Sequence, residues 1–268
     1  MVHKRTAPPH SPRTLSIDIG GTGLKASVLD QSGRMLHDEV RIATPHPCTP
    51  KDLLNALARL VAPLQPYDRI SVGFPGVVRD GVVMTAPHLG NRRWRGIPFA
   101  SLLAKHLHKP VRLLNDAEVQ GLGLMRGHGL EVVLTLGTGA GTAVFRDGEL
   151  MPHLELAQHP IHNGQTYDDY IGDKALRQKG RKRWNRRVLK AIKLLHVLLN
   201  FDVLHIGGGN AIKLGRVPKH VKIGSNAAGI TGGIRLWDAP ASPAQDHETL
   251  TPAGNEQSKV LNLNDEPH

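Results

Sequence analysis

Two rhythms of apolar and polar positions run along this chain. Short apolar runs at residues 15–19, 69–74, 111–114, 131–136 and 203–206 each stop at glycine, proline or an Asn-Asp pair. That length and those flanks predict strands. Residues 23–29 and 36–42 read as further strands of a meander, with Ser32-Gly33 as its turn. Between them, apolar positions recur at helical spacing. Thr49-Pro50 opens a helix whose apolar face is Leu53, Leu57, Leu60 and Val61. Thr49 suits the cap and Pro50 the first helical position. Residues 99–107, 117–125, 167–176 and 185–201 also read as helices, the last with Val188, Ile192, Leu195 and Leu199 on one side. Residues 150–166 are irregular, and 223–237 read as a short closing helix. Strands that alternate with helices predict an α/β fold.

Composition narrows the class. With 40% hydrophobic and 21% charged residues the chain reads as a soluble globular protein. No apolar run is long enough to span a bilayer. The basic start lacks the apolar segment of a secretory signal. Cys48 is the single cysteine, which excludes an intrachain disulfide and a thiolate metal cluster. Both points predict a cytoplasmic protein. Residues 1–13 read as a disordered leader, and the segment from Ala239 onward as a disordered, mildly acidic tail.

The net charge of +11 calls for an anionic partner. Its densest part runs from Lys174 to Lys193: Lys174, Arg177, Lys179, Arg181, Lys182, Arg183, Arg186, Arg187, Lys190 and Lys193, with no acid between them. Two readings stand: a solvated or nucleic-acid-facing helix surface, or a track for a phosphate polymer held by multipoint contacts. Arg181, Lys182, Arg183, Arg186 and Arg187 are the candidates for the second.

The candidate chemistry sits in two glycine-rich turns, Asp18-Ile19-Gly20-Gly21-Thr22-Gly23-Leu24-Lys25 and Leu136-Gly137-Thr138-Gly139-Ala140-Gly141. Glycine permits positive φ and close approach of a ligand to the amides. Successive N–H groups form an anion cradle. Asp18 can hold Mg²⁺ through its water shell, and Lys25 adds a point charge. Gly207-Gly208-Gly209 follows a strand and reads as a third approach to the donor, or as a plain strand-to-helix turn. Asn115-Asp116 ends a strand. Asp116 can serve as a general base or equally as a helix cap.

In order, Asp-x-Gly-Gly-Thr-x-x-Lys, Gly-Phe-Pro-Gly (Gly73 to Gly76), Asn115-Asp116, Gly-Thr-Gly-x-Gly and Gly-Gly-Gly resemble the ROK family of sugar kinases over residues 15–237. The family has the actin-like ATPase (ribonuclease H-like) fold, two lobes with a cleft between them. The resemblance implies a small lobe over 14–116 and a large lobe over 117–238, with the final helix returning to the small lobe. Thr166-Tyr167-Asp168-Asp169-Tyr170-Ile171-Gly172, followed by Lys182-Arg183-Trp184-Asn185, is similar to the polyphosphate-dependent members. The implied activity is phosphoryl transfer from polyphosphate, ATP or both to the 6-hydroxyl of glucose, with mannose as a further acceptor and Mg²⁺ as cofactor.

The same resemblance makes Asp116 the base and places Asn115, Gly76, Glu155 and Asp168 around the sugar. Gly20, Gly21, Thr22, Gly23, Gly137, Thr138, Gly139, Gly141, Gly208 and Gly209 fall on the donor side. The family's Glu-x-Gly-His becomes Glu155-Leu156-Ala157-Gln158 here, with His159 next. Gln158 or His159 is the candidate for the second sugar contact. The three cysteines of the family's zinc motif are missing, so no structural zinc is expected. Other readings are an ATP-only kinase of another sugar and a non-catalytic sugar- or polyanion-binding protein. A DNA-binding repressor fits poorly, because the residues before the first strand are too few for a helix-turn-helix. Homodimers are common in the family, and that is the assembly the resemblance implies.

Overall fold

The computed structural model describes residues 11–225 and 227–238. The expected tail and nearly all of the expected leader lie outside the described residues.

Two five-stranded sheets organise the chain. The first holds β1 (Thr14–Ile19), β2 (Gly23–Leu29), β3 (Val40–Ala43), β4 (Arg69–Phe74) and, after the short hairpin of β5 (Val78–Arg79) and β6 (Val82–Val83), β7 (Val111–Asn115), in the order β3-β2-β1-β4-β7. β1, β4 and β7 run parallel. Their carboxyl ends therefore meet at one edge, with Asp18 beside Gly73 and Phe74 beside Asn115. Helices α1 (Pro50–Val61) and α2 (Phe99–Leu107) pack on this sheet, and Phe74, Trp94 and Phe99 lie 5.1–5.9 Å apart in its core. Thr49 caps α1 in a reciprocal capping box with Asp52, and Pro50 is its first residue.

The second sheet holds β8 (Leu130–Leu136), β9 (Ala140–Arg146), β10 (Glu149–Leu150), then, beyond the small hairpin of β11 (Pro160–His162) and β12 (Gln165–Thr166), β13 (Val203–Gly207) and β14 (Val221–Ile223). Its order is β10-β9-β8-β13-β14. β13 runs parallel to β8, which brings Gly207 beside Thr135. Helix α3 (Asp116–Leu122) follows β7 and lies between the sheets, its Val119 and Leu122 packed against Val133, Ala143 and Phe145.

The helices after β12 differ from the expected pair. α4 (Tyr167–Ile171) stops at Gly172, whose backbone is extended. A Cβ there would meet Asp168 O at 2.5 Å and Thr138 O at 2.8 Å. The second glycine turn presses on the chain at that point, so one continuous helix cannot pass. α5 (Asp173–Leu199) then begins, and breaks at Gly180, where φ is 72°. Its buried side carries Trp184, Val188, Ile192 and Leu195 onto the second sheet. Trp184 is anchored through its indole N–H to Ile171 O at 2.7 Å.

β3 starts later than expected, and Leu36 stays exposed. The Ser27 hydroxyl takes the His37 carbonyl (2.7 Å), and the polar run His37-Asp38-Glu39 offers no apolar face to bury.

The last described segment, α6 (Ala228–Thr231) and the 3₁₀ turn Gly232–Trp237, returns to the first sheet. The Ser16 hydroxyl donates to Ile230 O (2.7 Å) and the Ser71 hydroxyl to Gly233 O (2.6 Å). The guanidinium groups of Arg69 and Arg112 lie over the Trp237 ring at 4.8 and 4.5 Å. This packing needs glycine. A Cβ on Gly232 would sit 2.0 Å from Val119 O in α3. Gly232→Ala should therefore destabilise the fold by about 1–3 kcal/mol, read as a lower midpoint in urea unfolding. An unchanged midpoint would show that α3 and α6 can move apart freely.

Candidate active site

The carboxyl ends of the parallel strands from both sheets face one another across a cleft of about 400 Å³. This is where α/β sheets bind ligands. Every expected donor-side residue, Asp18, Gly20 to Gly23, Lys25, Gly137 to Gly139, Gly141, Gly208 and Gly209, lines it. So do Gly76, Asn115, Asp116, Glu155 and Asp168.

The two turns close internally, with Gly20 N–H donating to Gly23 O (2.9 Å) and Gly137 N–H to Gly139 O (3.0 Å). Their glycines do not have positive φ; Gly208, at 81°, does. What they supply is room. A Cβ on Gly21 would lie 3.1 Å from the His88 Cβ, and one on Gly139 would lie 2.5 Å from Asp168 Oδ1.

Asp18 and Lys25 are directly paired across β1 and β2, and the Lys25 ammonium donates to Asp18 Oδ2 at 3.1 Å. Burial pushes the Asp18 carboxyl up, against the pull of Lys25. Gly229 of α6 covers the same carboxylate: its Cβ would fall 3.4 Å from Asp18 Oδ2.

Asn115 and Asp116 divide the two roles that the sequence left open. Asn115 is the cap of α3: its Oδ1 accepts from Ala117 N–H (2.9 Å), and its amide donates to Gly76 O (3.0 Å). Glu118 completes the capping box by accepting from Asn115 N–H at 3.0 Å. Asp116, the first helical residue, is left facing the cleft, with one hydrogen bond from Ala117 N–H at 2.9 Å. Burial, then the nearby charges of Asp18 and Glu155, raise its carboxyl to about 7, against the Ala117 bond and His88. A carboxyl poised near neutrality at a cleft floor is suited to taking a proton.

Asp168 is a built element of the cleft rather than a solvated helix residue. Its Oδ1 accepts from Ala140 N–H (2.7 Å). Its Oδ2 accepts from the Gln158 amide (3.1 Å) and pairs with His88 Nε2 (3.3 Å). The Asp168 hydrogen bond raises the His88 pKa, against burial.

Gln158 and His159, the two alternatives for a second sugar contact, stand apart from the rest. Both are exposed and neither lines the cleft. The chain turns at this point, with His159 N–H donating to Leu156 O at 3.0 Å, and the Gln158 amide reaches the cleft only through Asp168 Oδ2. His88, His153, Arg41, Gln120 and Gly229 line the cleft and were missed. The one sequence signal for His153 was its place two residues before Glu155.

The basic stretch also divides. Arg177 pairs with Asp173 (2.9 Å), Arg181 donates to Lys213 O (2.7 Å), and Arg187 lies over the Tyr170 ring (4.4 Å). Lys182, Arg183 and Arg186 are exposed, without an ion pair among the described residues. The network connects to the cleft: the Lys213 ammonium donates to Asn210 Oδ1 (2.8 Å), and Asn210 N–H donates to Leu136 O (2.9 Å) at the second glycine turn.

The ROK family model matches residues 14–153. The chain belongs to the ROK family. Among its relatives, the polyphosphate glucokinase of Mycobacterium leprae (strain TN) is 29% identical over 252 residues, covering 85% of this chain and 78% of that one. That of Mycobacterium tuberculosis (strain ATCC 25618 / H37Rv) is 29% identical over 81% of this chain and 88% of its own. Among solved structures, the inorganic polyphosphate/ATP-glucomannokinase from Arthrobacter sp. strain KM superposes with a TM-score of 0.77 at 29% identity, over 83% of this chain and 97% of that one. A ROK glucokinase from Streptomyces griseus, in complex with glucose and AMPPNP, shares the fold at 20% identity and a TM-score of 0.71, over 84% and 98%. The ROK chain described here thus has the actin-like ATPase fold, and none of its described helices is long and apolar enough to cross a membrane.

Proposed function

We propose that this ROK protein is a hexose kinase that moves a phosphoryl group from polyphosphate or ATP to the 6-hydroxyl of glucose, with mannose as a second acceptor. The observation that carries the reading is Asp116, a carboxyl raised to about 7 at the cleft floor between two glycine turns. The relatives named as polyphosphate glucokinases support the same reading.

In this mechanism Asp116 accepts the proton of the sugar hydroxyl as its oxygen attacks the terminal phosphorus. The bond from phosphorus to the bridging oxygen breaks, and the donor leaves one phosphate shorter. Glu155, Asp168 and Asn115 hold the sugar. The amides of the two turns, with Lys25 and Gly208-Gly209, hold the donor in line, so catalysis is mostly positioning and charge neutralisation. The donor set suits Mg²⁺: Asp18 offers carboxylate oxygen in a cleft whose other ligands would be phosphate oxygens and water. Asp18 would hold the ion, which when bound neutralises the donor phosphates. Coupled detection of glucose 6-phosphate with each donor tests the proposal; no turnover with either would end it.

The basic face of α5 favours a donor longer than ATP. Lys182, Arg183 and Arg186 have no acid paired with them among the described residues, and each polyphosphate unit carries charge for them. Replacing all three with Ala should lower the polyphosphate-supported rate at least about tenfold and flatten its salt dependence. The ATP-supported rate should stay within about twofold. Equal loss with both donors would place this face outside donor recognition.

A further inference from the structure

His153 and Glu155 stand two apart on a non-helical segment, and both side chains line the cleft. The His153 ring is 13% exposed, and its Nδ1–H donates to Glu118 Oε1 at 2.7 Å. The other oxygen of Glu118 accepts from Asn115 N–H. One carboxylate therefore fixes both the ring and the residue beside Asp116. The far nitrogen, Nε2, is buried without a hydrogen-bond partner. It lies 3.6 Å from Glu155 Oε2. That is too long for a direct bond, and a buried ring nitrogen left unpaired is costly.

A sugar hydroxyl both donates and accepts. It is satisfied by a donor and an acceptor set side by side, which is what Nε2–H and the Glu155 carboxylate present. Gln158 is exposed where it stands, and its amide is engaged with Asp168 Oδ2 rather than with Glu155.

We infer that His153 is the second sugar ligand of this site, its Nε2–H donating to a hexose hydroxyl that donates in turn to Glu155. Glu118 is its positioning residue. Burial opposes the charge on His153, but Glu118 and Glu155 outweigh it and raise the ring to about 9. Below that pH both ring nitrogens carry protons, so between about pH 7 and about pH 9 the Nε2 donor is present while Asp116 is ionised. The inference rests on the hexose-kinase reading and names the group that reads the sugar.

The test compares wild type, His153→Ala, His153→Gln, Gln158→Ala and His159→Ala in steady-state kinetics with a panel of hexoses, alongside melting temperatures with and without sugar. Turnover of the wild type tests the kinase reading on its own, and the ranking of variants on the best hexose tests His153. His153→Ala should raise KM for the sugar about 30–100-fold while the donor KM stays within about twofold. It should also abolish the sugar-induced rise in melting temperature. His153→Gln, which retains a donor, should recover part of both, and Gln158→Ala and His159→Ala should have smaller effects. A sugar KM within about threefold of wild type in folded His153→Ala, or a larger effect from Gln158→Ala, would overturn the assignment. Should the alanine variant not fold, a His153→Gln variant with a raised sugar KM and an unchanged donor KM supports it, and one with the wild-type sugar KM, or whose donor KM rises as much as its sugar KM, refutes it.

Discussion

Asp116→Asn should lower kcat for glucose phosphorylation by about 10³-fold and, at pH 8, make the protein more stable. Both effects have one origin. The cleft holds the Asp116 carboxyl at about 7, against an ordinary value of 3.8. The folded state thus binds a proton that the unfolded chain has released, and stability falls as pH rises from about 4 to about 7. Above that range the full cost remains. In a water-filled cleft it is a fraction of the roughly 4 kcal/mol that a three-unit shift represents. Asn has no charge to bury and can still accept from Ala117 N–H. Its melting temperature should match wild type at pH 4 and exceed it by a few degrees at pH 8. The rate profile carries the same signature: kcat/KM of wild type should climb through about pH 7 to a plateau as the base ionises. A pH-independent gap in melting temperature, or retained activity in the variant, would remove Asp116 from this role.

The second large effect lies away from the cleft. Glu131 is 1% exposed, and its Oε2 accepts from the His205 ring at 2.6 Å. Its Oε1 takes the Arg126 and Gly127 amides at 2.9 and 2.7 Å. Burial would raise this carboxyl, yet the His205 and amide hydrogen bonds outweigh it and hold it below its ordinary value. Glu131→Ala strands a buried histidine and two amides at once. The expected loss is about 3–5 kcal/mol, or about 10 °C in melting temperature for a domain of this size. The sign with pH is opposite to that of Asp116. The stabilisation is present above about pH 4.5, the ordinary value, and is lost as pH falls through the lowered folded value. Wild type and Glu131→Ala should therefore converge in stability under acid; a constant gap would mean that the lost packing, not the charge, dominates.

How far the sequence reaches is clear from particular residues. Asp18, Lys25 and Asn115-Asp116 were legible because each sits at a strand end with turn chemistry beside it, and strand ends are set by local pattern. The parallel pairing of β1, β4 and β7 then brings them together. His88, His153 and Gly229 were not legible. They reach the cleft from loops and from α6, whose paths are decided by packing between distant segments, and no periodicity marks them. The division of α4 from α5 was hidden for the same reason: Gly172 yields to a carbonyl at Thr138, far away in sequence. Gln158 shows the limit of a motif position. Its place after Glu155 can be read from the motif, but its exposure and its bond to Asp168 depend on the backbone turn there.

The return of the last described segment to the first sheet has a consequence in time. Ser16 and Ser71 lie on β1 and β4, which are made well before their hydroxyl partners, Ile230 and Gly233. Gly229, which covers Asp18, arrives equally late. Until α6 has been made, the wall that Gly229 forms beside the Asp18 carboxylate is missing. Completion of the cleft therefore waits on residues far along the chain, since Ser16 and its partner Ile230 lie 214 positions apart.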